Sequence, residues 1–182
     1  MCSEQLLKKD LFGEVWLENK ASGPAILRDS SAAHWSVRWL ARALLKREAV
    51  ALAALDGLDG VPALLSHARD RLTRSYLRGV PMQVGKPSKQ RYFRSAARLL
   101  RRMHCAGVVH NDLAKEPNLL VRDSGRAAFI DFQLAWHCTR RGRLFRLAAR
   151  EDLRHLLKHK RTYCPDALTR RELDILANPS GL

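Results

Sequence analysis

The sequence has few cysteines, and they do not form the patterns that hold a metal ion or a disulfide framework. Cys2, Cys105, Cys138 and Cys164 lie far apart, without a C-x-x-C pair or a zinc-ligand spacing. Thiols spaced in this way are typical of a reduced, intracellular protein. The pattern therefore predicts free cysteines and excludes a small domain stapled by disulfides.

Long apolar runs are missing as well. The N-terminal residues contain no apolar segment of the kind found in signal peptides, and no window reaches the roughly 18 apolar residues that a membrane span requires. We therefore expect a cytoplasmic protein, at most peripheral to the inner face of the cytoplasmic membrane.

Acidic residues are scarce relative to basic ones. The 33 Lys and Arg residues against 18 Asp and Glu residues give a net charge of +15. Such a field attracts the phosphates of a nucleotide, a nucleic acid or an anionic membrane surface, although a merely solvated arginine-rich surface is an equal alternative. The basic side chains concentrate in residues 140–161. That segment either meets anionic lipid or forms a helix whose arginines pair with Glu151 and Asp152.

Two loops, each following an apolar strand, carry the side chains suited to chemistry. The first loop contains Asp112 and Asn118, and the second contains Asp131. Two short apolar runs between Asn118 and Asp131 flank the turn-forming residues 123–126, which predicts a hairpin. The hairpin returns Asp131 to the end where Asn118 lies, so that two oxygens can share a divalent metal. Phosphoryl transfer needs these parts: a carboxylate beside the attacking hydroxyl, and oxygen ligands for the metal on the ATP phosphates.

The same residues carry a family resemblance. The segment His110-Asn111-Asp112-Leu113 resembles the H-R-D-L catalytic loop of the protein-kinase-like phosphotransferases, and Asp131-Phe132-Gln133 resembles their D-F-G. The chain is most similar to the compact bacterial branch of RIO-like kinases and lipopolysaccharide core Kdo and heptose kinases. The resemblance implies ATP and Mg²⁺ as cofactors, Asp112 as the catalytic residue, and Asn118 and Asp131 as metal ligands.

The resemblance also implies the fold. We expect an α+β, minimal two-lobed protein-kinase-like domain over residues 1–182. A small antiparallel β lobe with one long helix would end near residue 78, a hinge would cover about 78–88, and a mainly helical lobe would follow over 89–182.

Three departures from the family pattern bear on activity. Asn118 lies six residues after Asp112 rather than five, so this loop is one residue longer. Ala114 stands where the family has lysine, which makes its neighbour Lys115 the candidate for reaching the γ-phosphate. Gln133 replaces the glycine of D-F-G, and the loss of glycine's backbone freedom favours a fixed metal ligand over a switching loop.

The hairpin that we expect to cover the nucleotide has strands at residues 11–18 and 24–28. Gly13 is all that remains of a glycine-rich loop, and a lone glycine in a strand is more often a bulge. Arg28 occupies the position of the strand lysine that holds the ATP phosphates, and we expect it to pair with Glu48; two unconnected surface residues are the alternative. Tyr76 and Leu77 lie next to a hinge at 78–82, and their backbone groups are the candidates for contacting the nucleotide.

Further expectations concern two helices, two tryptophans, the histidines and Asp152. Apolar spacing predicts helices over 34–55 and 89–106. Trp35 and Trp39, one turn apart, are interpreted as core residues in preference to membrane-facing anchors. His110 is interpreted as a packed scaffold residue, and neither His155 nor His159 has a convincing metal-ligand spacing. Asp152 lies in a segment that resembles a D-L-x-x-L motif of the same branch, in which the acidic residue is structural.

These features predict a kinase whose acceptor is a hydroxyl, either of a lipopolysaccharide core sugar or of a Ser/Thr in a RIO-like manner. No A-P-E segment follows Asp131, so the platform on which larger kinases hold a protein substrate is missing, which favours the glycolipid. The alternative is a catalytically weak kinase-like module that binds nucleotide, anionic membrane or nucleic acid. A nucleic acid is the less favoured partner.

Overall fold

The protein begins with a five-stranded antiparallel sheet. The structure is a computed structural model that describes residues 4–21 and 23–178; Cys2 and Ser22 lie outside the described residues. The sheet has the strand order β1-β2-β3-β5-β4. Its strands are β1 (Glu4–Asp10), β2 (Gly13–Lys20), β3 (Gly23–Asp29), β4 (Leu64–His67) and β5 (Arg71–Ser75).

The first hairpin of the sheet differs from the predicted one. Residues 11 and 12 form a two-residue turn between β1 and β2 instead of beginning a strand, and Gly13 closes this turn rather than forming a bulge. Gly13 has a φ of 122°, and a Cβ there would collide with the carbonyl oxygen of Asp29, so only glycine fits. β1 was missed because all of its residues are exposed, which leaves no buried alternation to detect.

The long helix α1 (Arg38–Ala54) lies between β3 and β4 in the chain and confirms the predicted helix, although it begins four residues later. The prediction that Trp35 and Trp39 are core residues is wrong: their exposed fractions are 78% and 70%. Apolar residues occur on two sides of this helix. The side that contains Leu45 and Leu52 faces the core, and Trp39 lies on the opposite side.

The rest of the described chain is mainly helical with two small sheets. The predicted helix at 89–106 and the predicted hairpin strands are confirmed. The elements are β6 (Val80–Pro81), α2 (Met82–Gly85), α3 (Gln90–Cys105), β7 (Val108–Val109), β8 (Leu119–Val121), β9 (Ala127–Phe129), β10 (Trp136–His137), α4 (Arg143–Tyr163) and α5 (Arg170–Ala177). β6, β8 and β9 form one sheet, and β7 pairs with β10.

One hydrophobic core joins the two parts of the molecule. Leu52 and Leu55 of α1 belong to the same buried cluster as Leu100 of α3 and Phe132, which follows β9. The boundaries of the lobes stay a prediction, but β6, inside the predicted hinge, already pairs with β8. None of the helices in the described residues is long and apolar enough to cross a bilayer. The three described cysteines form no disulfide.

The basic segment 140–161 contributes most of α4, and its arginines differ in environment. Arg154 Nη1 donates to both carboxylate oxygens of Glu151, at 2.8 and 2.9 Å. Arg150 donates to the carbonyl oxygen of Asn178 at 2.7 Å. Arg143 and Arg146 are exposed. The second alternative for this segment therefore holds for Arg154 and Glu151, whereas Asp152 accepts from the backbone N–H groups of His110 and Asn111 instead of pairing with an arginine.

Candidate active site

The loop after β7 holds the Asp112 carboxylate in place. Asn118 donates from Nδ2 to the main-chain oxygen and to Oδ2 of Asp112, both at 2.9 Å. Lys115 Nζ lies 2.8 Å from the same Oδ2, and this hydrogen bond raises the pKa of Lys115. Asp112 is therefore contacted by both the amide of Asn118 and the ammonium group of Lys115.

The extra residue of this loop is absorbed in a short 3₁₀ turn, Glu116–Asn118. The Asn118 N–H donates to the carbonyl oxygen of Lys115 at 3.1 Å, which closes the turn. As a result Asn118 still reaches Asp112 although it lies six residues later in the chain. The change in spacing does not separate the two candidate residues.

Asp131 lies at the end of the hairpin, as the sequence predicts. Its neighbour Ile130 donates from the backbone N–H to the carbonyl oxygen of Asn118 at 3.0 Å, which holds the two candidate metal ligands at one end. Asp131 has a φ of 65°, and Asn111 in the first loop has a φ of 62°. Such backbone conformations in residues other than glycine are costly and cluster at functional sites.

Arg28, on β3, connects the five-stranded sheet with the end of the hairpin at which Asp131 lies. Its Nη1 lies 3.0 Å from Glu48 Oε2 and 3.3 Å from Asp131 Oδ1, which confirms the predicted ion pair and adds a second one. Burial by itself would lower the pKa of Arg28, but the two carboxylates outweigh burial and raise this pKa above its usual value. The guanidinium is thus held between the helix and the candidate metal ligand.

Sequence reasoning missed Arg74, the second arginine of this cluster. It lies on β5, 8% exposed, with Nε 3.1 Å from Oε1 of the fully buried Glu48, an ion pair without hydrogen-bond geometry. Burial, together with the nearby charge of Arg28, lowers the pKa of Arg74. Arg74 is paired with Ile26 in the β3–β5 register, which places it on the same face as Arg28. The spacing along the chain gives no sign of this neighbour.

Asp152, on α4, fixes the backbone of the catalytic loop. This buried carboxylate accepts hydrogen bonds from the N–H groups of His110 at 2.7 Å and Asn111 at 2.9 Å, and His104 Nε2 lies 3.2 Å away. His110 is buried too; its Nε2 contacts the carbonyl oxygen of Ile130 at 3.0 Å, and burial lowers its pKa. These contacts agree with the structural roles predicted for Asp152 and His110.

Replacing Asp152 with alanine should therefore destabilise the protein and disorder the catalytic loop. The buried N–H of His110 and the partly buried N–H of Asn111 would lose their acceptor, and we expect a loss of about 3 kcal/mol in the free energy of unfolding, measured by urea denaturation. Glu151→Ala is the matched control. It removes the preceding carboxylate, which is partly exposed and paired with Arg154, and should cost less than about 1 kcal/mol. Equal effects of the two substitutions would contradict the anchoring role.

Other predicted residues have simpler environments. The Tyr76 N–H donates to the carbonyl oxygen of Pro24 at 3.1 Å and is used within the sheet, so Leu77 is the better donor for a nucleotide. His159 Nε2 lies 2.8 Å from the carbonyl oxygen of Leu113 and supports the loop after Asp112. Within the described residues no group of three or more His, Cys, Asp or Glu side chains is placed to hold a metal.

Comparisons with known proteins agree with this architecture. The model of the lipopolysaccharide kinase (Kdo/WaaP) family matches residues 69–176, which is more than half of the chain. The crystal structure of the Rio2 kinase from Chaetomium thermophilum is similar in fold, with a TM-score of 0.68 and 16% sequence identity. The match covers 97% of this chain and 62% of that one. No curated protein matches the chain. The structural similarity confirms the predicted α+β, protein-kinase-like fold.

Proposed function

The chain belongs to the lipopolysaccharide kinase (Kdo/WaaP) family, and we propose that it is a phosphotransferase that transfers the γ-phosphate of ATP, with Mg²⁺, to a hydroxyl group. One observation carries the proposal. Asp112, Asn118 and Asp131 come together although nineteen positions separate the first from the last, and Arg28 joins them from the sheet.

The donor set fits a hard divalent cation. Mg²⁺ prefers oxygen ligands, and carboxylate Asp131 with amide Asn118 supplies them at one end of the hairpin. Asn118 uses its amide N–H groups on Asp112, so its carbonyl oxygen is the atom available to a cation. When bound, the metal would neutralise charge on the phosphates of the nucleotide.

The other side chains have roles that follow from their charge and position. Asp112 would orient the acceptor hydroxyl and accept its proton late, because the transition state of phosphoryl transfer is loose. Lys115, next to Asp112, would stabilise charge on the transferred group. Arg28 would hold the phosphates of the nucleotide, with Glu48 fixing its position, and Leu77, with the carbonyl of Tyr76, would contact the base.

The acceptor we favour is a hydroxyl of a lipopolysaccharide core sugar. Two arguments support it: the family to which the chain belongs, and the path of the chain after Gln133. There the chain passes through the short strand β10 directly towards α4, without a long segment that could hold a peptide. A Ser or Thr acceptor, as in RIO-like kinases, is the second choice.

A catalytically weak module is the alternative function, and one observation favours it. The Arg28 guanidinium contacts Asp131 directly, so a cation already lies beside the candidate metal ligand. If that ion pair persists in the presence of nucleotide, Asp131 has only part of its charge available for a metal.

A nucleotide titration separates the two functions. We expect ATP to bind with an affinity that rises steeply with Mg²⁺, because Asp131 and Asn118 would hold the metal and the metal would neutralise charge on the phosphates. Calorimetry with and without Mg²⁺ measures this dependence. Asp112→Asn is the matched variant: it removes the proton acceptor but no proposed metal ligand, so it should retain nucleotide binding and lose phosphate transfer. Nucleotide binding by the unaltered protein that is absent, or that does not respond to Mg²⁺, would favour the module.

A further inference from the structure

The outward side of α1, together with the turn that precedes it, carries a stripe of exposed residues with two tryptophans at one end. We define the outer stripe as the exposed residues that follow one another at helical spacing: Trp35, Trp39, Ala43, Lys46, Arg47 and Val50. Trp35 and Trp39 are more than two-thirds exposed and Val50 is 44% exposed. Large apolar side chains grouped on a surface in this way indicate an interaction site.

All charges that α1 presents outward are positive. Lys46 and Arg47 lie on the outer stripe itself, whereas Glu48, the only acidic residue of this helix, is completely buried between two arginines. In the neighbouring turn, Asp10 is paired with Lys8 at 2.7 Å. The surface thus combines tryptophans with cations, and it belongs to a chain whose net charge is +15.

The aromatic end of the outer stripe lies at the edge of the candidate active site. The N–H of His34, next to Trp35, donates to the carbonyl oxygen of Leu11 at 3.2 Å. Leu11 is 65% exposed, and the adjacent Phe12 lines a small cavity together with Arg28 and Gln133. The exposed apolar surface therefore continues from the helix to the turn that borders this cavity.

We propose that the outer stripe docks the protein on an anionic lipid bilayer, with Trp35 and Trp39 inserted among the headgroups and Lys46 and Arg47 on the lipid phosphates. Tryptophan combines a large apolar ring with a polar N–H and is favoured at membrane–water interfaces, and nearby cations add attraction to anionic lipids. The proposal deepens the proposed function, because a glycolipid acceptor lies in such a surface. Lipid binding itself does not depend on phosphate transfer.

Vesicle binding tests the proposal without nucleotide or acceptor. The full chain is sedimented with phosphatidylcholine vesicles that do or do not contain phosphatidylglycerol. Trp35→Ala/Trp39→Ala should lower the partition coefficient on the anionic vesicles at least about tenfold. Lys46→Gln/Arg47→Gln should lower it roughly fivefold for each charge, and added salt should mimic that change.

The matched control is Leu144→Ala, which removes an equally exposed apolar side chain from the basic helix α4. It should bind vesicles as the unaltered protein does. Equal losses for Leu144→Ala and the tryptophan variant would overturn the proposal, as would an unaltered protein that ignores anionic vesicles. Bromine-labelled lipid chains add a second measurement: they should quench the fluorescence of the unaltered protein strongly and that of the tryptophan variant weakly. Mg²⁺-dependent ATP binding, measured on the same samples, reports separately on the proposed function.

Discussion

Alanine in place of Asp131 is expected to abolish Mg²⁺-dependent phosphate transfer while the protein stays folded. The substitution removes a carboxylate oxygen from the proposed metal site and takes no apolar area from the core, since the Asp131 side chain is about one-third exposed. We expect a rate loss on the order of a thousandfold or more, as for other groups that stabilise charge in a transition state. Transfer to a lipopolysaccharide core fragment and the circular dichroism spectrum are the two measurements.

A second variant separates charge from backbone strain. Asp131 has the left-handed conformation, which asparagine tolerates better than alanine does. Asp131→Asn should therefore avoid the backbone cost of alanine, lose only the ion pair with Arg28 from the folded protein, and still lose most of the activity. The control is Asp123→Ala, in the exposed turn of the same hairpin, which should change neither. Activity that survives in both Asp131 variants would disprove the metal-ligand role.

Substitution of Glu48 should have the largest effect on stability. This carboxylate is completely buried and lies between Arg28 and Arg74, so its loss leaves the buried Arg74 without a counter-ion beside the partly exposed Arg28. Removing one partner from a buried ion pair typically costs about 3–5 kcal/mol, and we expect Glu48→Gln to lower the free energy of unfolding by that amount. Urea denaturation measures the change.

A double-mutant cycle tests the cause of this loss. In an Arg74→Leu background the charge that depends on Glu48 is absent, so Glu48→Gln should cost at least about 1 kcal/mol less there. A cost that is identical in both backgrounds would show that Arg74 and Glu48 do not interact. Arg28 should also become more mobile in Glu48→Gln, and we therefore expect weaker ATP binding even in the fraction that remains folded.

The parts of the site that the sequence predicted are held together by short-range geometry. Asn118 and Asp131 are joined by a hairpin, and a hairpin of two short strands with a tight turn must return to its starting point. Asp112 lies in the loop that enters the same hairpin. Arg28 and Glu48 occupy adjacent elements of the chain, and a helix that packs on the preceding strand leaves few other positions for a long charged side chain.

The parts that the sequence did not predict depend on contacts between distant segments. Arg74 reaches Glu48 only because β5 pairs with β3, and no local pattern fixes that pairing or its register. Similarly, Trp39 and Leu45 both fit a helical apolar pattern, and only the packing of α1 on the rest of the molecule decides which side is buried. The fold class was therefore easier to predict than the surface of the protein.

The shared core beneath α1 limits the ways in which this protein can be regulated. Leu52 and Leu55 belong to the same buried cluster as Phe132, the residue after Asp131, so the helix that carries Glu48 and the loop that carries the proposed metal ligand share one core. Separating them would expose apolar surface to water, at a cost of about 25 cal/mol for each Å². A switch that swings the helix away is therefore disfavoured. The two sides of the proposed site would stay assembled, so the activity of such a protein would depend on the supply of its substrate and on where in the cell the protein lies.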